Sequence, residues 1–231
     1  MYRNVPGLHF FPQYFSASQC HAMIQQSLAL YSEIQAQSHA TMPAFDASIP
    51  QPDFVSSQKH NLNSDEKFLR LKLHDENHRL IQCEHFPRYG EDGHLLSYFR
   101  GTDNLPAFMH DFLPSIQNTI DSLSDMEKTL NNHWRLTMNF YQNIQGAVAG
   151  FPFHVDIPAN GIVTMILNIQ REAQFQITDG EQVIDIHLPV GALLMLSGDS
   201  RYVWKHRVLP STSCESSHGE VERISLVLGV K

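Results

Sequence analysis

The spacing of hydrophobic positions changes character after Ser124: before it, apolar residues recur at helical intervals in two stretches, and after it they come in short runs separated by Gly, Pro, Asn and Asp. In the first helical stretch, FSASQCHAMIQQSLALYSEI, Cys20, Met23, Ile24, Ser27 and Tyr31 fall on one face, and Ser16 followed by Gln19 has the spacing of a capping box. This predicts an amphipathic helix with a structural role, packed against a core. In the second stretch, LPAFMHDFLPSIQNTIDSL, Met109, Phe112, Leu113, Ile116, Ile120 and Leu123 keep helical spacing. Pro114 is expected to split that element in two, because proline has no N–H to donate and crowds the preceding turn. Between the two, Gln35 to about Asn104 is polar and weakly periodic, with Pro43, Pro50 and Pro52 early in it. A hairpin is predicted late in it, with Arg88 to Asp92 turning between LIQCEHF and HLLSYF.

The runs after Ser124 are rich in Val, Ile, Leu, Phe and Tyr, and give candidate strands at 133–141, 161–170, 173–178, 183–188, 191–197, 201–208 and 223–230. Seven short strands in about a hundred residues predict a jelly-roll-like sandwich or barrel in a mostly β, α+β protein, not a βαβ fold. No internal repeat is present. The expected organisation is an N-terminal helical extension and recognition segment over 1–125 and a β core over 126–231, within one structural domain.

Composition narrows the class. The chain has 231 residues, 42% of them apolar, enough for one large core. Its net charge of −8 argues against a strong non-specific hold on nucleic acid, since that affinity comes from many Lys and Arg contacts to phosphates. From Met126 onward there are ten acidic residues against eight Lys plus Arg, a net of −2, so most of the excess acid precedes the β region. The three cysteines, Cys20, Cys83 and Cys214, are an odd number with no CxxC pair, which points to a reducing compartment. The N-terminus lacks the apolar stretch of a signal peptide and no run of about 18 apolar residues occurs, so a soluble, intracellular monomer with no membrane association is expected.

Candidate chemistry gathers in GFPFHVDIPANGIVTMILNIQ. On an extended backbone His154 and Asp156 point to the same side, just ahead of an apolar run. His206, in SGDSRYVWKHRVLP, is a third candidate near the end of a predicted strand. Two His and one carboxylate on one face, leaving coordination positions open, is the arrangement of non-haem Fe(II) oxygenases. With fourteen His in the chain, spacing alone leaves that reading and chance about equal. His74 with Glu76 and His218 with Glu220 repeat the form in polar stretches without a flanking β run, and read as solvated surface. Upstream, HWRLTMNFY alternates so that Arg135, Thr137, Asn139 and Tyr141 share a face, which in isolation fits the polar side of an edge strand equally well. Downstream, Arg223 heads a strand that is otherwise apolar to Val230. A guanidinium there needs an anionic partner. A dicarboxylate cosubstrate would supply one, and Ser225, two residues on, adds a hydroxyl donor on the same face.

Taken in order, N-x-Y, H-x-D, H after SGDSRY and R-x-S-L near the C-terminus, the chain resembles the AlkB-like Fe(II)/2-oxoglutarate-dependent dioxygenases over about 133–231, and more loosely in VPGLHFFPQYFSASQ. The resemblance implies a double-stranded β-helix (jelly-roll, cupin-like) core with helices packed on one sheet. It implies that His154, Asp156 and His206 bind Fe(II), and that Asn139, Tyr141 and Arg223 hold 2-oxoglutarate, with O2 taking a remaining position. Catalysis would rest on His154, Asp156, His206 and Arg223, releasing succinate and CO2 while hydroxylating or oxidatively demethylating the substrate. The family's second arginine is absent, and Gly229 stands there. Ser225 is the first candidate to replace part of it, and Arg135 or Lys231 are poorer ones. The implied partner is a macromolecule, either alkylated nucleic acid or protein, selected by the segment of about Gln35 to Asn104. There Lys67, Arg70, Lys72, Arg79 and Arg88, with Phe86, Tyr89, Tyr98 and Phe99, are interleaved with Asp65, Glu66, Asp75, Glu76, Glu84, Glu91 and Asp92, which reads as a solvated mixed-charge surface. The alternative is a non-catalytic AlkB-like binding module, supported by the lost arginine. A cupin-like Zn or Mn protein would leave Arg223 and Asn139 without a role.

Overall fold

The computed structural model of the chain describes residues 5–41, 69–74, 80–85, 94–124, 126, 133–144, 146–148, 150–156, 160–212 and 219–231. The predicted turn at 88–92, most of the recognition candidates (Lys67, Arg79, Phe86, Arg88 and Tyr89) and the acidic residues interleaved with them, apart from Glu84, lie outside the described residues, as does His218.

Helix α1 spans Ala17–Thr41 and opens on the capping box: Ser16 N–H donates to Gln19 Oε1 at 2.9 Å and Gln19 N–H to Ser16 Oγ at 3.3 Å. Its predicted face is the one that packs, with Cys20, Met23 and Ser27 buried. The second helical stretch forms α2 (Ala107–His110) and α3 (Leu113–Ser122). The division falls before Pro114, which sits in the first turn of α3, where its missing N–H has no helical partner to lose.

Two antiparallel sheets form the body. Among the described residues the larger has ten strands, eight of them in the order β1 (Leu8–Phe11), β11 (Ala192–Leu196), β8 (Val163–Gln170), β14 (Val221–Val230), β5 (Trp134–Ile144), β4 (His94–Arg100), β3 (Leu80–His85) and β2 (Leu69–His74). The short strands β6 (Ala147–Val148) and β13 (Ser211–Thr212) pair with each other, and β6 with the end of β5. The smaller sheet runs β10 (Val183–Leu188), β9 (Ala173–Thr178), β12 (Lys205–Val208) and β7 (Phe151–His154). From β7 to β14 the chain passes back and forth between the sheets, the winding of a jelly roll.

Alternation along the large sheet sends its two faces to different cores. Leu136, Met138 and Phe140 of β5, Leu226 and Leu228 of β14, and Met165 and Leu167 of β8 face outward onto Phe15, Met23, Leu113, Ile116 and Ile120 of the helical layer. On the inner face, Ile166, Leu194 and Leu196 meet Phe175, Ile177, Ile186 and Val208 of the small sheet. The inner row of β5 and β14 is polar instead: Thr137, Asn139, Arg223 and Ser225 are all buried.

Three features differ from the sequence expectations. The strand expected at 201–208 begins as a helical turn, α4 (Gly198–Tyr202), and becomes extended only at Lys205. Ser197 N–H donates to Ser200 Oγ at 3.1 Å, closing that turn, and the turn buries Arg201. Second, β7 is a separate strand in the small sheet; His154 therefore ends its own strand and does not open β8. Third, β2 joins the two strands of the predicted hairpin, β3 and β4, in the polar stretch of Gln35 to Asn104, and the three extend the large sheet past β5. Strands β3 and β4 pair antiparallel, as the predicted hairpin requires. No helix among the described residues is long and apolar enough to cross a membrane.

Candidate metal centre

His154 and His206 come together because β7 and β12 are neighbours. His206 pairs with His154 and Val208 with Phe151, so three residues of β12 face four of β7. The extra residue is a bulge, and it turns both Phe151 and His154 toward the interior. The Phe151 and His154 rings lie 4.4 Å apart, the two imidazoles 4.3 Å apart, and Phe175 stacks on His206 at 5.4 Å. Asp156, two residues beyond β7, brings its Oδ1 to 3.6 Å from His154 Nε2 and 3.9 Å from His206 Nε2. One ligand atom from each residue lies within 4.8 Å of the others, so a small inward shift would bring all three to bonds of about 2 Å on a single ion.

The protonation pattern favours cation binding. His154 Nδ1 is 2.8 Å from the Pro152 carbonyl, which can only accept, so Nδ1 carries the proton and Nε2 keeps its lone pair for the cluster. Burial, joined by repulsion from His154, pushes the His206 pKa down to about 3 and keeps that ring neutral. Burial alone would raise the Asp156 carboxyl, but its contact with His154 and its electrostatic interaction with the His206 and His154 imidazoles and the Arg201 guanidinium hold it well below the usual carboxylate range. Asp156 Oδ2 and His206 Nδ1 are buried with no hydrogen-bond partner among the described residues. Arg201, 1% exposed, donates from Nη1 to the Asp156 carbonyl at 2.7 Å and fixes the segment that carries the carboxylate.

The other candidates form a second group on the inner face of the large sheet. Register pairs Arg223 with Tyr141, and Ser225 with Asn139 on one side and Asn168 on the other. The Arg223 guanidinium lies 4.2 Å over the Tyr141 ring, and its Nε donates to Asn168 Oδ1 at 3.3 Å. Asn139 Nδ2 donates to the Ser225 carbonyl at 3.4 Å. Arg223 is 2% exposed, and neither Nη1 nor Nη2 has a hydrogen-bond partner among the described residues. Asn168 was missed from the sequence, although an amide inside the apolar run VTMILNIQ was a visible signal.

Gly229 has a steric cause. A Cβ there would stand 1.6 Å from the Asn160 carbonyl oxygen, so the chain leading into β8 occupies the space that an arginine would need. Arg135 is the direct cross-strand neighbour of Gly229, while Lys231 is exposed at the end of the chain.

No family model and no curated protein matches the chain. Solved structures do. A Pseudomonas putida prolyl-4-hydroxylase superposes with a TM-score of 0.51 over 97% of this chain and 92% of its own, at 13% identity. The chain has the fold of the Fe(II)/2-oxoglutarate oxygenases. OsALKBH1 gives a TM-score of 0.48 over 98% of each chain at 10% identity. A Trichoplax adhaerens prolyl hydroxylase, solved with a hypoxia inducible factor oxygen degradation domain peptide, gives 0.49 over 98% of this chain and 84% of its own at 16% identity. In this oxygenase fold the His154–Asp156–His206 cluster lies on the small sheet and the Arg223 row on the large one, both turned to the interior between them.

Proposed function

We propose that the protein is an Fe(II)- and 2-oxoglutarate-dependent dioxygenase in which His154, Asp156 and His206 hold the iron, and Arg223, with Asn139, Tyr141 and Ser225, holds the cosubstrate. The observation that carries this reading is the Arg223 guanidinium, buried with both terminal nitrogens unpartnered among the described residues and turned to the same interior as a two-His, one-carboxylate cluster. Leaving a buried cation uncompensated costs several kcal/mol, so the arrangement favours an anionic ligand. A dicarboxylate in bidentate contact with that guanidinium satisfies it, and the Ser225 hydroxyl adds a donor.

When bound, Fe(II) with 2-oxoglutarate supplies the oxidation, in which O2 is consumed, the cosubstrate becomes succinate and CO2, and a substrate C–H bond is hydroxylated. The chain's own residues prepare that chemistry. The Pro152 carbonyl holds the His154 tautomer, burial keeps His206 neutral, and Arg201 steadies the main chain of Asp156 while its charge favours the ionised carboxylate. Phe151 and Phe175 pack against the imidazoles and give that side of the site an apolar wall. The substrate we infer is a macromolecule, an alkylated nucleic acid or a protein, recognised by the part of the chain before about residue 125. If the oxidised carbon is an N-methyl group, the product collapses to formaldehyde and a demethylated nitrogen.

Uncoupled turnover tests this without knowledge of the substrate: Fe(II), ascorbate and 2-oxoglutarate are supplied and succinate is measured. The cosubstrate is kept high because the site lacks a second arginine, and loss of one charged hydrogen-bond partner weakens binding by about 1.5–3 kcal/mol. Succinate above the level of His206→Ala is the expected result. None from folded protein at saturating iron and cosubstrate overturns the enzyme reading in favour of a binding module.

A further inference from the structure

Asn168 lies inside β8 and is fully buried. Its Nδ2 donates to three main-chain carbonyls: Arg171 at 2.7 Å, Leu188 at 3.0 Å and Pro189 at 3.2 Å. Only the nitrogen end of an amide can serve three carbonyl oxygens, so these contacts decide which way the side chain points. They tie the β8–β9 turn and the end of β10 to β8, and they leave the amide oxygen directed at β14, where it accepts from Arg223 Nε at 3.3 Å.

Arg223 is therefore gripped from two strands. Asn168 takes its Nε edge from β8, and the Tyr141 ring from β5 covers its face at 4.2 Å. What remains is the pair Nη1 and Nη2, buried and without a hydrogen-bond partner among the described residues. Glu222, the adjacent carboxylate in sequence, is engaged by the Arg171 guanidinium, and Asn168 in turn holds the Arg171 carbonyl. One amide thus orients the arginine and anchors the residue that pairs with the carboxylate next to it in sequence.

We propose that Asn168 is a positioning residue: it fixes the Arg223 guanidinium so that both terminal nitrogens meet a carboxylate, and so sets cosubstrate affinity without touching the cosubstrate. This rests on the reading that Arg223 binds 2-oxoglutarate. A guanidinium held along one edge loses less freedom when its fork closes on a carboxylate, which is how the second contact acts through the first.

The test is calorimetric titration of 2-oxoglutarate into Mn(II)-loaded protein, with Mn(II) affinity and thermal unfolding measured on the same samples. Asn168→Leu is expected to weaken 2-oxoglutarate about tenfold, from loss of a hydrogen bond to a charged group, with Mn(II) affinity unchanged. Arg223→Ala should weaken it further, and Asn168→Leu added to Arg223→Ala should cost no more affinity than Arg223→Ala alone. A structural role would lower the unfolding midpoint and reduce affinity equally in both backgrounds. Wild-type affinity in Asn168→Leu, or a loss that adds in full to that of Arg223→Ala, overturns the inference. Wild-type affinity in Arg223→Ala overturns instead the reading of Arg223 as the cosubstrate anchor. If Asn168→Leu does not fold, Asn168→Asp replaces it. Its carboxylate would pair with the guanidinium, so a loss of more than about tenfold that vanishes in the Arg223→Ala background is expected, and wild-type affinity overturns the inference.

Discussion

The His154–Asp156–His206 cluster sits on a four-residue strand with a bulge, a residue beyond that strand's end and another four-residue strand, whereas the Arg223 row is built on β14 and β5, ten and eleven residues long and paired in continuous register from Arg223 to Val230. The side chains of His154 and Asp156 keep 15% and 10% of their surface exposed, against 2% for Arg223 as a residue. The cluster owes its geometry to local devices, namely the Pro152 carbonyl, the bulge and the Arg201 clamp, each acting on one or two residues. The row owes its geometry to strand register, which moves only if the sheet moves. Binding of metal and binding of the carboxylate should therefore be separable by mutation.

The sharpest way to break this comparison is a crossed pair of substitutions. Asp156→Ala should reduce Mn(II) affinity by more than about 100-fold, since loss of a ligand exceeds the 10–100-fold typical of its outer partners. Arg223→Ala should leave Mn(II) affinity within about twofold while weakening 2-oxoglutarate by about 10–100-fold, the equivalent of one charged contact. Metal titration and calorimetry read both, and equal loss of metal and cosubstrate in Arg223→Ala would assign Arg223 a purely structural role.

Next in size is Gly229→Ala, which puts a methyl 1.6 Å from the Asn160 carbonyl oxygen. Overpacking of this kind costs about 1–3 kcal/mol, or a thermal midpoint several degrees lower in a chain of this size. Gly229→Arg should be worse, and should not restore a second cation to the site. An unchanged midpoint in Gly229→Ala would show that the chain at Asn160 yields easily and that the missing arginine has another cause.

The smallest effect belongs to the ring beneath the guanidinium. Tyr141→Leu removes a cation–π contact worth about 0.5–2 kcal/mol and should weaken 2-oxoglutarate about 2–30-fold, whereas Tyr141→Phe keeps most of the affinity. Equal losses in the two variants would move the contribution from the ring to the hydroxyl.

Much of the architecture was legible because burial imposes periodicity. The face of α1, the apolar positions of α3 and the strands at 173–178 and 183–188 follow from which side chains must leave water, and a jelly roll is what many short strands of that kind build. Short β7 was not legible: four residues with Pro152 among them carry no alternation, and its bulge exists only in its pairing with β12. The helical turn at 198–202 was hidden by Tyr202 and Val203, which read as strand yet are exposed.

What the sequence determined by itself was the set of chemical groups: two imidazoles, a carboxylate, and a cation beside an apolar run. What only the tertiary structure decided was which groups meet. Arg223 lies over Tyr141 and against Asn168 because β14 runs between β5 and β8, and Gly229 is glycine because the Asn160 carbonyl crosses it. Pairing between strands distant in the chain is set by the summed burial of both faces and by register, neither of which leaves a mark at the single position it constrains.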